Sequence, residues 1–128
     1  MTDAAQYIGW LLHADDRRRL LVQIPPAYPD LVADHVTLIY RPPAGFSLPT
    51  AAEGLVVGIA DDGAGLQALV LEIEGTTRRP DGSTFHVTWS LDRAAGRRPV
   101  ESNAMIRAKS WAPVTPPILL RLAPRAFR

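Results

Sequence analysis

The sequence predicts an α+β domain with mainly antiparallel strands and few short helices, and three observations lead there. Short apolar runs rich in β-branched and aromatic residues recur along the 128 residues, separated by Pro, Gly and Asp clusters. Twelve prolines keep helical stretches short. The clearest helical spacing is confined to residues 98–109.

The elements follow in order. "YIGWLLHA" (7–14) reads as a strand that ends in a charged turn, "DDRRR". "RRRLLVQIPPAYPD" opens as a short helix that Pro25 and Pro26 must stop. "HVTLIY" (35–40) is a strand ended by "RPPAG". "GLVVGIADDGAGLQALVLEIEG" (54–75) is two strands around an "ADDGAG" hairpin turn, which lacks the lysine and spacing of a phosphate loop. A turn at Pro80-Asp81-Gly82 leads into a further strand containing "HVTWSL" (86–91). Residues 98–109 form a helix with Pro99 near its start, and Val100, Ala104, Met105 and Ala108 lie on one side. After a Pro-rich break, "ILLRLAP" (118–124) is the last strand. The expected organisation is a single domain over residues 1–128, with no linker or low-complexity segment.

Composition narrows the function. With no cysteine, disulfides, thiolate metal sites and cysteine nucleophiles are excluded. No apolar run approaches the ~18 residues that would span a bilayer. The N-terminal stretch has no basic leader region, so a cytoplasmic protein without a membrane partner is expected. The net charge of +1 argues against gripping long nucleic acid by charge alone. Residues 1–64 carry four Arg against eight acids, and residues 65–128 carry ten Lys and Arg against five. A basic second half could favour a small anionic ligand, but solvated surface charge is the commoner meaning of such a bias.

The most informative feature is a tripeptide. The chain has three histidines, and two of them, His35 and His86, open the sequence His-Val-Thr. Valine occurs nine times and threonine eight, so chance placement is on the order of one in ten thousand before allowance for strand composition and motif-hunting. Strand alternation puts His35, Thr37 and Ile39 on one face and Val36, Leu38 and Tyr40 on the other. In the second copy His86, Thr88 and Ser90 share a face, opposite Val87, Trp89 and Leu91. Imidazoles titrate near ~6.5, so a pair can present one neutral and one protonated ring near neutral pH. Displacement at phosphorus needs that pair, a base for the attacking water and an acid for the leaving oxygen. Threonine hydroxyls two residues on can donate to the non-bridging oxygens. Two histidines without a close-spaced ligand cluster make a poor zinc site, so neither metal nor cofactor is expected.

Two His-x-Thr motifs on separate strands resemble the two-histidine (2H) phosphoesterase superfamily. The flanks "PPAYPDLVADHVTLIY" and "FHVTWSLDRAAGRRPVESNAMI" are similar to the cyclic phosphodiesterase domain of plant and fungal tRNA ligases. They are more similar still to related bacterial and phage proteins described as Swiss-army-knife RNA-repair-like domains. The likeness covers about residues 20–110. It implies a bilobed fold in which two mainly antiparallel sheets face a central groove holding both histidines. It further implies metal-independent hydrolysis of a 2′,3′-cyclic phosphate on an RNA end or small nucleotide. His35 and His86 become the acid–base pair, and Thr37 and Thr88 the phosphate-binding hydroxyls. Which histidine is acid stays open. No ligase or kinase segment accompanies the motifs in this sequence, and no obligate protein partner is evident from it.

Other residues are weaker candidates. Ser90 shares the predicted groove face, and Arg78 and Arg79 precede the second motif closely enough to meet substrate. His13 lacks the threonine and serves as an internal control. Tyr7, Trp10, Tyr40, Trp89 and Trp111 could stack on a base, with Tyr40 and Trp89 expected in the core. Two alternatives stand beside the leading one: cleavage of a cyclic oligonucleotide, and a non-catalytic module that binds nucleotide or RNA ends. Two proton-transfer groups exceed what binding alone requires.

Overall fold

The computed structural model describes residues 5–128; the leader expectation, so far as it concerns residues 1–4, lies outside them. The described chain is α+β, with seven strands and two short α-helices. In order these are β1 (Tyr7–Leu12), α1 (Ala14–Gln23), β2 (Asp30–Leu31), β3 (His35–Tyr40), β4 (Glu53–Asp61), β5 (Leu66–Glu72), β6 (His86–Leu91), α2 (Ser102–Lys109) and β7 (Ala112–Phe127). A 3₁₀ turn, Pro99–Glu101, leads into α2.

All strand pairs are antiparallel, in the order β2-β6-β5-β4-β7-β1-β3. The 16-residue β7 is the spine. Its first part pairs with β4, from Ile59↔Ala112 to Glu53↔Arg121, and its last part with β1, from Leu12↔Leu122 to Tyr7↔Phe127. The sheet curls until β3, at one end, meets β6 near the other. The chain makes that crossing directly after β2. Val32 and Ala33 donate their N–H groups to the carbonyls of Trp89 and Thr88, both at 2.9 Å, so the backbone still follows β6. Ala33 then turns through φ 43°, with Arg17 Nε donating to its carbonyl at 2.6 Å, and β3 begins two residues later.

Each face of the sheet carries one helix. On one face Trp10, Val36, Leu69, Leu71, Val87, Trp89 and Leu120 pack with Leu20 and Ile24 at the α1 end. On the other Leu66, Ala68, Val70 and Leu91 pack with Met105 and Ile106 of α2. β5, covered on both faces, is accordingly a near-continuous apolar run. Trp89 lies in the core as expected, and its Nε1–H donates to the Ile24 carbonyl at 2.8 Å.

Two expectations need correction. "DDRRR" is no turn: α1 starts at Ala14, directly after His13, with Asp15 and Asp16 in its first turn complementing the helix dipole. The last strand is more than twice the predicted length, because the Pro-rich stretch lies inside β7 and does not precede it. The ladder breaks between Gly58↔Pro113 and Val56↔Ile118, so residues 114–117 bulge away opposite Val57. Prolines are tolerated there because no ladder hydrogen bond is required of them.

Asp16 pins α1 to the spine. Its buried carboxylate accepts from the Arg121 backbone N–H at 2.7 Å, from Nε at 3.0 Å and from Nη2 at 2.8 Å. Those bonds hold its carboxyl well below the usual carboxylate range. Asp16→Ala is expected to lower stability by about 2 kcal/mol, the scale of hydrogen bonds to a charged group, measured by urea titration at neutral pH. Because the folded-state value is depressed, this contribution is complete above the unfolded value near ~4 and fades as pH falls further. The gap between the two proteins should therefore narrow in acid; a gap that persists there would show that lost packing, and not the ion pair, is responsible.

Candidate active site

The two tripeptides enter the site through their central residue. Val36 and Val87 are fully buried in the α1-side core. Their neighbours His35, Thr37, His86 and Thr88 consequently point the other way. All four line one cavity of about 360 Å³, walled also by Tyr7, Val32, Tyr40, Pro99 and Val100. Gly9 permits the close approach of β1 to β3: a Cβ there would lie 2.0 Å from the Val36 carbonyl oxygen, a backbone atom with nowhere to go.

Both rings use Nδ1 for orientation. His86 Nδ1 lies 2.9 Å from the Thr84 carbonyl, which can only accept, so Nδ1 carries the proton and Nε2 presents a lone pair. His35 Nδ1 lies 3.2 Å from the Asp34 carboxylate, again leaving Nε2 as the second nitrogen. The His35 ring stacks on Tyr7 at 5.0 Å and tilts against Phe127 at 5.2 Å. His86 is pushed down to about 4, first by burial, with the positive groups Arg79 and His35 acting in the same direction against the Thr84 bond. It is a neutral base at physiological pH.

The threonines differ. Thr37 is 4% exposed, and no group among the described residues bonds its hydroxyl. Thr88 is 8% exposed; its hydroxyl lies 2.8 Å from Ser102 Oγ, at the start of α2, and 3.4 Å from the Pro99 carbonyl.

Three candidates move. Ser90 leaves the cavity face: it is fully buried, donates to Gln67 Oε1 at 2.7 Å and accepts the Ala27 and Tyr28 N–H groups, each at 3.2 Å. Tyr40 moves the opposite way, from the expected core face to the cavity wall, 48% exposed. One cause explains both. Gly9 pairs with Thr37 while Ile8 pairs with Ile39, so Leu38 is an extra residue on β3. Ala68 pairs with Thr88 while Gln67 pairs with Ser90, so Trp89 is an extra residue on β6. A β-bulge therefore follows each His-Val-Thr, and it reverses the inside–outside alternation beyond that point. Arg79 is the third: 3% exposed, it turns inward and does not line the cavity. Arg78 is exposed beside a separate cavity with Leu38 and Phe85. His13 sits at the N-cap of α1, away from the histidine cavity.

The residues that sequence reasoning missed are Asp34, Ser102 and Gly9. Only Asp34, adjacent to His35, had a local signal. A larger cavity, about 600 Å³ beside Ile8, Pro42, Phe46 and Leu48, has apolar walls apart from Arg128, with no convergent cluster of polar side chains among the described residues that line it. Chemistry, not volume, selects the histidine cavity. Among the described residues no group of three or more His, Cys, Asp or Glu side chains is placed to hold a metal ion, and no helix is long and apolar enough to cross a membrane. No family model, curated protein or solved structure matches the chain.

Proposed function

We propose that the protein is a metal-independent phosphoesterase of the 2H type, hydrolysing a 2′,3′-cyclic phosphate on an RNA end or small nucleotide in the cytoplasm. The observation that carries this reading is the convergence of His35, Thr37, His86 and Thr88 on one cavity, each ring held through Nδ1 with Nε2 left for proton transfer. The finer bilobed architecture belongs to the same proposal: β3, β1 and the end of β7 would form one lobe, and β2, β6, β5, β4 and the start of β7 the other.

In this mechanism His86, the neutral ring, takes a proton from water through Nε2 as the water oxygen attacks phosphorus. The bond from phosphorus to one ribose oxygen breaks, and that oxygen receives a proton from His35. Asp34 supplies the counter-charge for the protonated His35 ring. The Thr37 hydroxyl donates to a non-bridging oxygen, and Thr88 is held by Ser102 for the same task. The product is a phosphomonoester beside a free hydroxyl, and solvent exchange resets both rings.

The test is a panel of 2′,3′-cyclic mononucleotides, cyclic-phosphate-ended RNA and cyclic oligonucleotides, assayed in EDTA with product regiochemistry determined. Turnover of a 2′,3′-cyclic phosphate that survives EDTA is expected. Tight binding without turnover across the panel would favour the non-catalytic module and overturn the enzymatic reading.

A further inference from the structure

Arg79 is a buried guanidinium that the proposed chemistry leaves unused. It sits in the tight turn before β6, where its N–H donates to the Ser83 carbonyl at 2.7 Å and its carbonyl accepts from Gly82 at 2.9 Å. Its side chain bonds within its own turn and reaches two other parts of the fold. Nε donates to Ser83 Oγ at 2.6 Å, Nη1 to the Thr37 carbonyl at 3.4 Å, and Nη2 to Asn103 Oδ1 of α2 at 3.1 Å. Asp81 balances the charge at 3.6 Å, and the guanidinium lies 5.7 Å from the centroid of the Tyr40 ring.

β3 and β6 are not neighbours in the ladder order: the Ala33 N–H ties the approach to β3 to the Thr88 carbonyl, but no strand ladder joins β3 itself to β6. We infer that Arg79 is the positioning residue that fixes the two tripeptide strands relative to each other, holding the Thr37 backbone and the Tyr40 ring against the turn that delivers His86. A planar fork with several fixed donors suits that task, and a lysine, with one compact charge, does not. The inference rests on the phosphoesterase reading of the cavity only where activity is the readout.

The charged and titratable groups around His86 are His35 with Asp34 at the start of β3, Tyr7 from β1, Tyr40 at the end of β3, and Arg79 with Asp81 from its own turn. Among them Arg79 and His35 push the His86 ring toward its neutral form. Removing the guanidinium should thus shift the His86 titration upward, toward the ordinary histidine value. Loosening of the fold would raise it too by rehydrating the ring, so Arg79→Lys, which keeps the charge but not the fork, separates the two causes.

The experiment compares Arg79→Met and Arg79→Lys with the parent protein by NMR, following the His86 ring through a pH titration along with the Thr37 and Tyr40 signals, and then by kinetics. Arg79→Met is expected to raise the His86 titration, to displace the Thr37 and Tyr40 signals, and to lower kcat/KM about 100-fold, the scale of a 1 Å misplacement. Arg79→Lys should keep the His86 titration near that of the parent yet still shift Tyr40 and lower kcat. A folded Arg79→Met protein with all three sets of signals unchanged overturns the inference. Should Arg79→Met not fold, Asn103→Ala removes one acceptor of the fork, and unchanged Thr37 and Tyr40 signals in it overturn the inference equally. Absence of hydrolysis by the parent protein would sink the phosphoesterase reading and leave the NMR comparison valid.

Discussion

Replacing His86 with Ala is expected to lower kcat for a 2′,3′-cyclic nucleotide about 10³-fold, within the range for losing a general acid or base. The effect is large because Nε2 of this ring is the neutral acceptor in the cavity, its tautomer set by the 2.9 Å contact from Nδ1 to the Thr84 carbonyl. His86→Asn is the sharper variant. Its amide nitrogen can keep the bond to Thr84 while offering no basic nitrogen, so the same loss is expected without the packing defect. Because the two histidines act in one step, His35→Ala/His86→Ala should be little worse than either single change, and His13→Ala should be mild. The pH dependence has a definite sign. Below about 4 the His86 ring is protonated and cannot accept, so kcat/KM should climb as pH rises through that value. An ascending limb near ~6.5, the ordinary histidine position, would show that burial does not depress this ring, and an ascending limb that survives in His86→Asn would remove His86 from the role of base.

The sequence made the site legible as far as the third residue of each tripeptide. Alternation placed His and Thr together because it needs only the backbone period, and Val36 and Val87 obeyed it. It failed only beyond Leu38 and Trp89, the extra residue of each strand, because a bulge is a property of two strands in register and not of one strand's sequence. Ser90 and Tyr40 were assigned to the wrong faces for this reason alone. The same limit applies to β7: three prolines read locally as a break, whereas pairing with β4 on both sides of residues 114–117 carries the strand past them. α1 was placed three residues late because Asp15 and Asp16 look like turn residues until their position in a first helical turn is known. Arg79 read as a possible substrate contact ahead of the second motif, and only the return of β3 and α2 to its turn shows where its donors find acceptors.

The two threonines, equal in sequence, should separate under the same substitution. Thr37→Val is close to isosteric and removes a hydroxyl that no group among the described residues bonds, so stability should change little. If that hydroxyl donates to the phosphoryl oxygen only as charge develops, kcat should fall about 100-fold while KM stays nearly constant. Thr88→Val deletes a comparable donor but also strands the Ser102 hydroxyl, which is fully buried and 2.8 Å from its partner. An abandoned buried hydroxyl costs about 1–3 kcal/mol, so this variant should lose stability as well as rate. Ser102→Ala isolates the second effect: Thr88 keeps its hydroxyl but loses the group that orients it, and the expected result is a smaller fall in kcat than in Thr88→Val. Urea titrations together with steady-state kinetics on the four proteins decide the matter. Were Thr37→Val to hydrolyse the cyclic phosphate at the parent rate, the threonine of the first tripeptide would be a strand-forming residue and nothing more, and the site would reduce to a pair of histidines with a single hydroxyl.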